Sequence, residues 1–352
     1  MTAQALRVAL VGLGGVAEAH LEAYKTVSGI EVVAGTDPDA NRLHHMAGLY
    51  GFRAHATLDD MLENEKLDIV CVLSPVSTHA DIATICAEAG KHILCEKPIA
   101  NNIADAKRII KACATNKVKL FYGASYRFLP TLKTARSLIQ SEALGDILML
   151  NEFSVGGTGP EQAKSLSPVH YPLGGPGGSG MGLVDHGIHL IDTFSWLLNS
   201  PIKHIYGCGN ISGEPLAPEF MHMRFENQAQ SFLLYSDTTF SAALPQEGVF
   251  GWGTGWTLEG PSQPGQWQNQ PGSISVHGTK GALRIFHYAN EIYHMTEAGV
   301  RRLKTADNPP PAQFALQMEA FRDNILNNQP PAVSGTDGLT ALEALLQVYN
   351  RA

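Results

Sequence analysis

Leu6-Arg7-Val8-Ala9-Leu10-Val11-Gly12-Leu13-Gly14-Gly15-Val16-Ala17 decides the fold of this 352-residue chain. Six mostly aliphatic residues run into a glycine-rich turn, and Ala17 to Thr26 continues with helical spacing. Gly12, Gly14 and Ala17 fit the pattern G-x-G-x-x-[GA] between a strand and a helix. The first glycine makes a tight turn, and the second lets backbone approach a pyrophosphate. The small third residue lets helix and strand pack closely. Gly12, Leu13, Gly14, Gly15 and Val16 would then present helix N–H groups and the helix dipole to an anion. Asp37 closes the next apolar run, Ile30 to Thr36, 22 positions after Gly15. Its carboxylate suits the adenosine ribose hydroxyls and repels a 2′-phosphate, which favours NAD; Arg42 nearby keeps NADP open as the less favoured cofactor. The plainer alternative is an Asp-Pro turn in which Asp37 caps the next helix.

Outward from that stretch, short apolar runs alternate with helical ones. Leu67 to Leu73, His92 to Cys95 and Leu120 to Tyr122 read as strands. Asn41 to Tyr50, His79 to Ala89 and Ala104 to Ala114 read as helices between them. The alternation predicts βαβ units, hence a doubly wound parallel sheet buried on both faces. Beyond Pro130 the rhythm changes. A helix over Thr131 to Gln140 is followed by strand-like runs at Asp146 to Ser154, His204 to Cys208, Glu219 to Glu226 and Gln230 to Thr238. Met221, Met223 and Phe225 alternate with His222, Arg224 and Glu226, the period of a sheet with one wet face. Gly278-Thr279-Lys280-Gly281 between two further runs signals a hairpin, and two amphipathic helices end the chain. The expected organisation is a dinucleotide-binding domain over 1–125. A substrate-binding and oligomerisation α+β domain over 126–352, mostly antiparallel, is expected to follow it.

Composition narrows the function. Charged residues make up 16%, hydrophobic residues 44%, and the net charge is −8, as in a globular protein with no basic surface for nucleic acid or anionic membrane. Five cysteines without a C-x-x-C pair indicate free thiols in a reducing compartment, and a cytoplasmic location is expected. The N-terminus reads as a first strand and not as a signal peptide, and no run approaches the ~18 apolar residues of a membrane span.

Three further stretches are more specific: Ser74-Pro75-Val76-Ser77-Thr78-His79, Cys95-Glu96-Lys97-Pro98, and Asp185-His186-Gly187-Ile188-His189-Leu190-Ile191-Asp192. Together with the glycine turn, they resemble the Gfo/Idh/MocA family, which includes glucose–fructose oxidoreductase and inositol dehydrogenase. The resemblance covers nearly the whole chain, including Ser334-Gly335-Thr336-Asp337-Gly338 at the start of the last helix. It implies an NAD-dependent dehydrogenase acting on CH–OH groups of a polyol or sugar, assembled as a homodimer or homotetramer through its C-terminal sheet. It also implies cofactor contacts from Ser74, Pro75, His79, Glu96 and Lys97.

The residues themselves suit such chemistry. Lys97, held by Pro98 after a strand, suits donation to a substrate hydroxyl and stabilisation of a developing alkoxide. Asp185 and His189, four apart, would share a helical face, with Asp192 a turn further on. A neutral imidazole takes a hydroxyl proton as hydride leaves the same carbon, and a carboxylate orients the ring or holds the substrate. The alternative is a capping Asp and a core His on a helix burying Ile188, Ile191, Phe194 and Leu197. Whether His189 or Lys97 accepts the proton stays open. His186 and His189 have ligand spacing, but no second pair completes a set, so no metal is expected. Gly174 to Gly182 reads as a loop over substrate, with His170 and Tyr171 before it. Where the family commonly has an arginine pair after Asn, this chain has Ser125-Tyr126-Arg127-Phe128, so Tyr126 and Arg127 are candidate substrate contacts. Trp252, Trp256 and Trp267 lie in a glycine- and proline-rich stretch that is either an aromatic platform or packing. Two alternatives stand beside the dehydrogenase reading: tightly held NAD with no net redox change, and an inactive nucleotide sensor.

Overall fold

In the computed structural model, residues 5–155, 182–209, 218–236, 273–307 and 311–349 are described. The chain divides into two compact units, residues 1–125 with 311–342, and residues 126–310 with 343–352.

The first unit is a parallel sheet. Its strands are β1 (Leu6–Val11), β2 (Ile30–Thr36), β3 (Arg53–His55), β4 (Ile69–Val72), β5 (His92–Cys95) and β6 (Leu120–Tyr122). Their order is β3-β2-β1-β4-β5-β6, all parallel. Helices α1 (Gly15–Tyr24), α2 (Ala40–Tyr50), α3 (Leu58–Asn64), α4 (His79–Glu88) and α5 (Ile103–Thr115) connect them. The central strands are aliphatic because both faces are covered: Leu10, Ile69, Val70, Ile93 and Leu94 are fully buried. Side chains start several helices: Asp39 accepts from the N–H groups of Asn41 and Arg42, Thr57 from Asp60, and Asn102 from Asp105. The strand order reverses between β1 and β4, the point beyond whose carboxyl ends doubly wound sheets bind ligands.

A later segment joins this unit. Helix α8 (Ala312–Leu326) packs Phe314 on His20 at 4.2 Å between ring centroids, and Phe321 on Phe121 at 4.9 Å. Residues 126–352 were expected to stay together; the buried stripe Phe314, Met318 and Phe321 draws 311–342 into the first unit instead. The last helix, α9 (Gly335–Tyr349), opens with a reciprocal cap. Ser334 N–H and Oγ donate to Asp337 Oδ2, and Asp337 N–H donates back to Ser334 Oγ.

The second unit holds α6 (Pro130–Gln140), α7 (Ile188–Leu198) and an eight-stranded sheet. Its strands are β7 (Ile147–Val155), β8 (Ile202–Cys208), β9 (Glu219–Phe225), β10 (Gln230–Ser236), β11 (Ser273–Gly278), β12 (Ala282–Phe286), β13 (Glu291–Thr296) and β14 (Gly299–Arg302). They run in the order β14-β13-β12-β11-β7-β10-β9-β8. Among the described residues, only β7 and β10 of this sheet pair in parallel; its other ladders are antiparallel. Along β9, Met221, Met223 and Phe225 are buried and Phe220 and Arg224 exposed, as the alternation predicts. Among the described residues, no helix is long and apolar enough to cross a membrane.

One local difference matters for the site. Before α7, Leu183–Gly187 forms a π-helical turn where the sequence suggests an ordinary α-helix. A Cβ on Gly182 would lie 2.6 Å from Cβ of Tyr235, so the turn sits too close to β10 for any side chain there. Such turns are rare and concentrate at functional positions.

Candidate active site

The glycine turn is built from the inside. Gly12 has φ +88°, its N–H donates to Thr36 O, and a Cβ there would meet Ser74 backbone at 2.6 Å. Gly14 and Gly15 are the opposite case, because a Cβ on either meets nothing within 4 Å. Gly14 stands at the N-cap of α1 without a side chain to occupy the helix N–H groups. Open backbone at a helix N-terminus fits a dinucleotide pyrophosphate. Asp37 is buried; its Oδ2 accepts from Leu13 N–H and its Oδ1 from Asp39 N–H, both at 2.8 Å. It therefore braces the glycine turn, and the cap of α2 is Asp39. Arg42 Nη1 lies 3.5 Å from Asp37, and Arg42 Nη2 3.4 Å from Asp39.

The loops after β4 and β5 are tied by His79. Its Nδ1 lies 2.9 Å from Pro98 O and its Nε2 2.8 Å from Ser74 O. Burial lowers the His79 pKa, while those carbonyls pull the other way. Ser74 Oγ bonds Thr78 Oγ1 at 2.7 Å, and Pro75 stays exposed. Glu96 turns inward. Oε1 lies 3.0 Å from His20 Nε2, and His20 Nδ1 lies 2.8 Å from Tyr24 Oη. Oε2 accepts Lys97 N–H at 3.0 Å. Burial pushes the Glu96 carboxyl up, but His20 and then Lys97 outweigh it and hold the group below the ordinary carboxylate value. Glu96 thus fixes the backbone that presents the half-buried Lys97.

In the second unit, Asp185 lies in the π turn and His189 at the second position of α7, both half-buried. The His189 ring stacks on Tyr126 at 4.3 Å with 9° between planes. Tyr126 Oη lies 3.3 Å from His186 Nδ1 and also bonds Tyr288 Oη. The Arg127 guanidinium is engaged bidentately by Asp192, at 2.7 and 2.6 Å. Two of its donors are thus committed to a buried carboxylate.

A group the sequence reading missed surrounds these residues. Glu152 on β7 is fully buried; its Oε2 lies 2.9 Å from His186 Nε2 and accepts from Tyr235 Oη at 2.8 Å. Burial pushes this carboxyl up, and His186 more than offsets it, leaving Glu152 below its ordinary value. His287, just beyond β12, is also fully buried, and burial takes its pKa down to about 4. One ligand atom each from Glu152, His186 and His287 lies within 4.8 Å of the others. No second pair of donors stands near His186 in sequence; the fold brings Glu152 from β7 and His287 from the segment after β12 beside it. Glu152 was findable, because an acid at the inward position of a strand, two after buried Leu150, requires a partner. His170, Tyr171, Trp252, Trp256, Trp267 and most of the Gly174 to Gly182 loop lie outside the described residues.

Residues 6–124 match the family model described as an oxidoreductase family with an NAD-binding Rossmann fold, and residues 132–284 match the GFO/IDH/MocA C-terminal domain. The chain belongs to the Gfo/Idh/MocA family of oxidoreductases. Over 349 residues it is 24% identical to myo-inositol 2-dehydrogenase of Thermotoga maritima, spanning 96% of this chain and 93% of that one. It is also 24% identical to D-apiose dehydrogenase of Paraburkholderia graminis, spanning 99% of this chain and 88% of the relative. The crystal structure of apo scyllo-inositol dehydrogenase from Lactobacillus casei shares the fold, with a TM-score of 0.75 at 22% identity over 99% of this chain and 96% of that one. The parallel and mostly antiparallel sheets of this Gfo/Idh/MocA protein are those expected from sequence.

Proposed function

We propose that this chain is an NAD-dependent dehydrogenase moving hydride between nicotinamide and a secondary alcohol or ketone of an inositol, sugar or sugar derivative. The observation that carries the reading is the open glycine cradle at the start of α1, braced from beneath by Asp37. Gly12, Leu13, Gly14, Gly15 and Val16 would hold the pyrophosphate. Asp37 would favour a free ribose over a 2′-phosphate, with Ser74, Pro75 and Lys97 completing the cofactor contacts. When bound, NAD supplies the carbon that accepts or returns hydride. Lys97 donates to the substrate hydroxyl oxygen and stabilises charge developing there. His189, its ring plane fixed by Tyr126, takes the hydroxyl proton. Asp185 holds a neighbouring hydroxyl or orients the imidazole.

The second sheet favours self-association. Phe153, Tyr206, Phe220 and Phe232 are 38–64% exposed, and register puts Tyr206, His222 and Phe232 side by side on one face. Such an apolar face suits a homodimer or homotetramer. The described free thiols suit a cytoplasmic setting.

Calorimetric titration with NADH and separately NADPH, followed by an absorbance screen of cyclic polyols and aldoses, tests the reading. Tighter NADH binding and turnover on a polyol are expected. Preference for NADPH removes the role of Asp37. Cofactor that co-purifies without release, or binding without turnover, replaces the dehydrogenase with internal redox chemistry or a sensor.

A further inference from the structure

The buried polar cluster of the second unit is incompletely satisfied in one direction. Both His287 ring nitrogens and Glu152 Oε1 lack a hydrogen-bond partner, although both residues are fully buried. An imidazole buried with neither nitrogen engaged is costly, because each polar atom has lost its water without replacement. Three features indicate what the gap accommodates. Glu152 brings a carboxylate whose Oε2 lies 2.9 Å from His186 Nε2 and accepts from Tyr235 Oη, so Oε1 is the oxygen left to a further ligand. His287 offers two unengaged ring nitrogens, one of them within 4.8 Å of ligand atoms on Glu152 and His186. The outer contacts are also in place: Tyr126 Oη bonds Nδ1 of His186, leaving Nε2 aimed at Glu152, and Tyr235 Oη anchors Glu152 Oε2. Hydrogen bonds that fix an imidazole and a carboxylate from behind are a common support of metal ligands, and here tyrosine hydroxyls supply them.

We propose that Glu152, His186 and His287 form a divalent transition-metal site of the Zn2+ class, with a fourth position left to water or a substrate oxygen. Two imidazoles and one carboxylate form a borderline-soft N2O set, which suits Zn2+ and its neighbours over Mg2+ or Ca2+. The three donors come from β7, the π turn and the segment after β12, elements far apart in sequence. A metal there would pin the π turn that carries Asp185.

The test uses the full chain, stripped with EDTA, incubated with ZnCl2 and desalted, with metal counted by mass spectrometry. Titration calorimetry with Zn2+ and the visible spectrum of the Co2+-loaded protein accompany it. One Zn2+ per chain and Co2+ bands of low coordination number are expected. Losing a residue that merely orients a ligand weakens metal sites by about 10–100-fold, so removing a ligand in His287→Phe should weaken Zn2+ binding by about 100-fold or more, with an unchanged circular dichroism spectrum. Should His287→Phe not fold, the near-isosteric Glu152→Gln reads the same loss. Wild type that retains no more Zn2+ than these variants overturns the proposal. This covers both no binding and equal binding at other histidines.

Discussion

The two units treat buried charge differently. In the first, Asp37 has both oxygens on backbone N–H groups, Glu96 has one on His20 and one on the backbone, and both His79 nitrogens face carbonyls. In the second, Glu152 and His287 keep unengaged atoms in full burial. Satisfied polar groups fix loops, here those carrying the glycine turn and Lys97. Unsatisfied ones carry a desolvation cost that nothing in the described residues offsets. The glycine turn and the Lys97 loop of the first unit are thus held by internal bonds, while the Glu152 group of the second keeps buried polar atoms unmatched.

The largest expected effect separates chemistry from binding. His189→Ala should lower kcat by about 10²–10⁴-fold, the range for loss of a general acid or base, and leave NADH affinity within severalfold of wild type. Lys97→Met should lower turnover comparably, with the larger effect marking the proton acceptor. Steady-state rates on the polyol found by screening, together with NADH titrations, check both. Full turnover in His189→Ala would confine proton transfer to the first unit.

Within the cradle, two glycines should fail in different ways. Gly12→Ala forces a Cβ to 2.6 Å from Ser74 backbone at φ +88°, so a loss of about 3 kcal/mol in urea unfolding is expected. Gly14→Ala meets no protein atom, so stability should change by under about 1 kcal/mol while NADH affinity falls. Equal stability loss in both would mean that the open space over α1 is not reserved for a ligand.

That contrast also shows how far the sequence could be read. The glycine turn, Asp37, Glu96-Lys97-Pro98 and the Asp185–His189 spacing were legible because each lies within a few residues of the strand or helix that positions it. Three matters were not. The π turn begins next to Gly182, which lies against Tyr235 of β10, a long-range contact that no local spacing encodes. The docking of 311–342 on the first unit depends on which apolar surface receives Phe314 and Phe321. The Glu152, His186 and His287 group is assembled by the fold, from a strand, the π turn and the segment after β12, 34 and 101 residues apart in sequence. Arg127 is a candidate substrate contact from its place in the family pattern, and its pairing with Asp192, 65 residues away, is not encoded locally.

Acid should act on the second unit through His287. Its folded pKa, about 4, lies below the ordinary value of 6.5, so the unfolded chain takes up a proton first as pH falls. The associated stability is complete above about pH 6.5 and is lost between there and about 4, in total about 3 kcal/mol. Urea midpoints at a series of pH values in EDTA measure it, and His287→Phe should flatten the profile. His79 is also lowered, but its two carbonyl contacts oppose the shift, so His79→Gln should flatten the profile less.

The smallest expected effect concerns Arg42, and it sharpens the account of Asp37. Arg42 is exposed and reaches Asp37 and Asp39 only at 3.5 and 3.4 Å, so as a surface ion pair it adds under about 1 kcal/mol to stability. Its charge stands beside the carboxylate assigned to the ribose, and a 2′-phosphate would gain from it while a free hydroxyl would not. Arg42→Ala should therefore leave unfolding midpoints and NADH affinity nearly unchanged and weaken NADPH by roughly tenfold or less, about 1.4 kcal/mol or less. Equal losses for both cofactors would instead assign Arg42 to bracing Asp37, and discrimination would then rest on Asp37 alone.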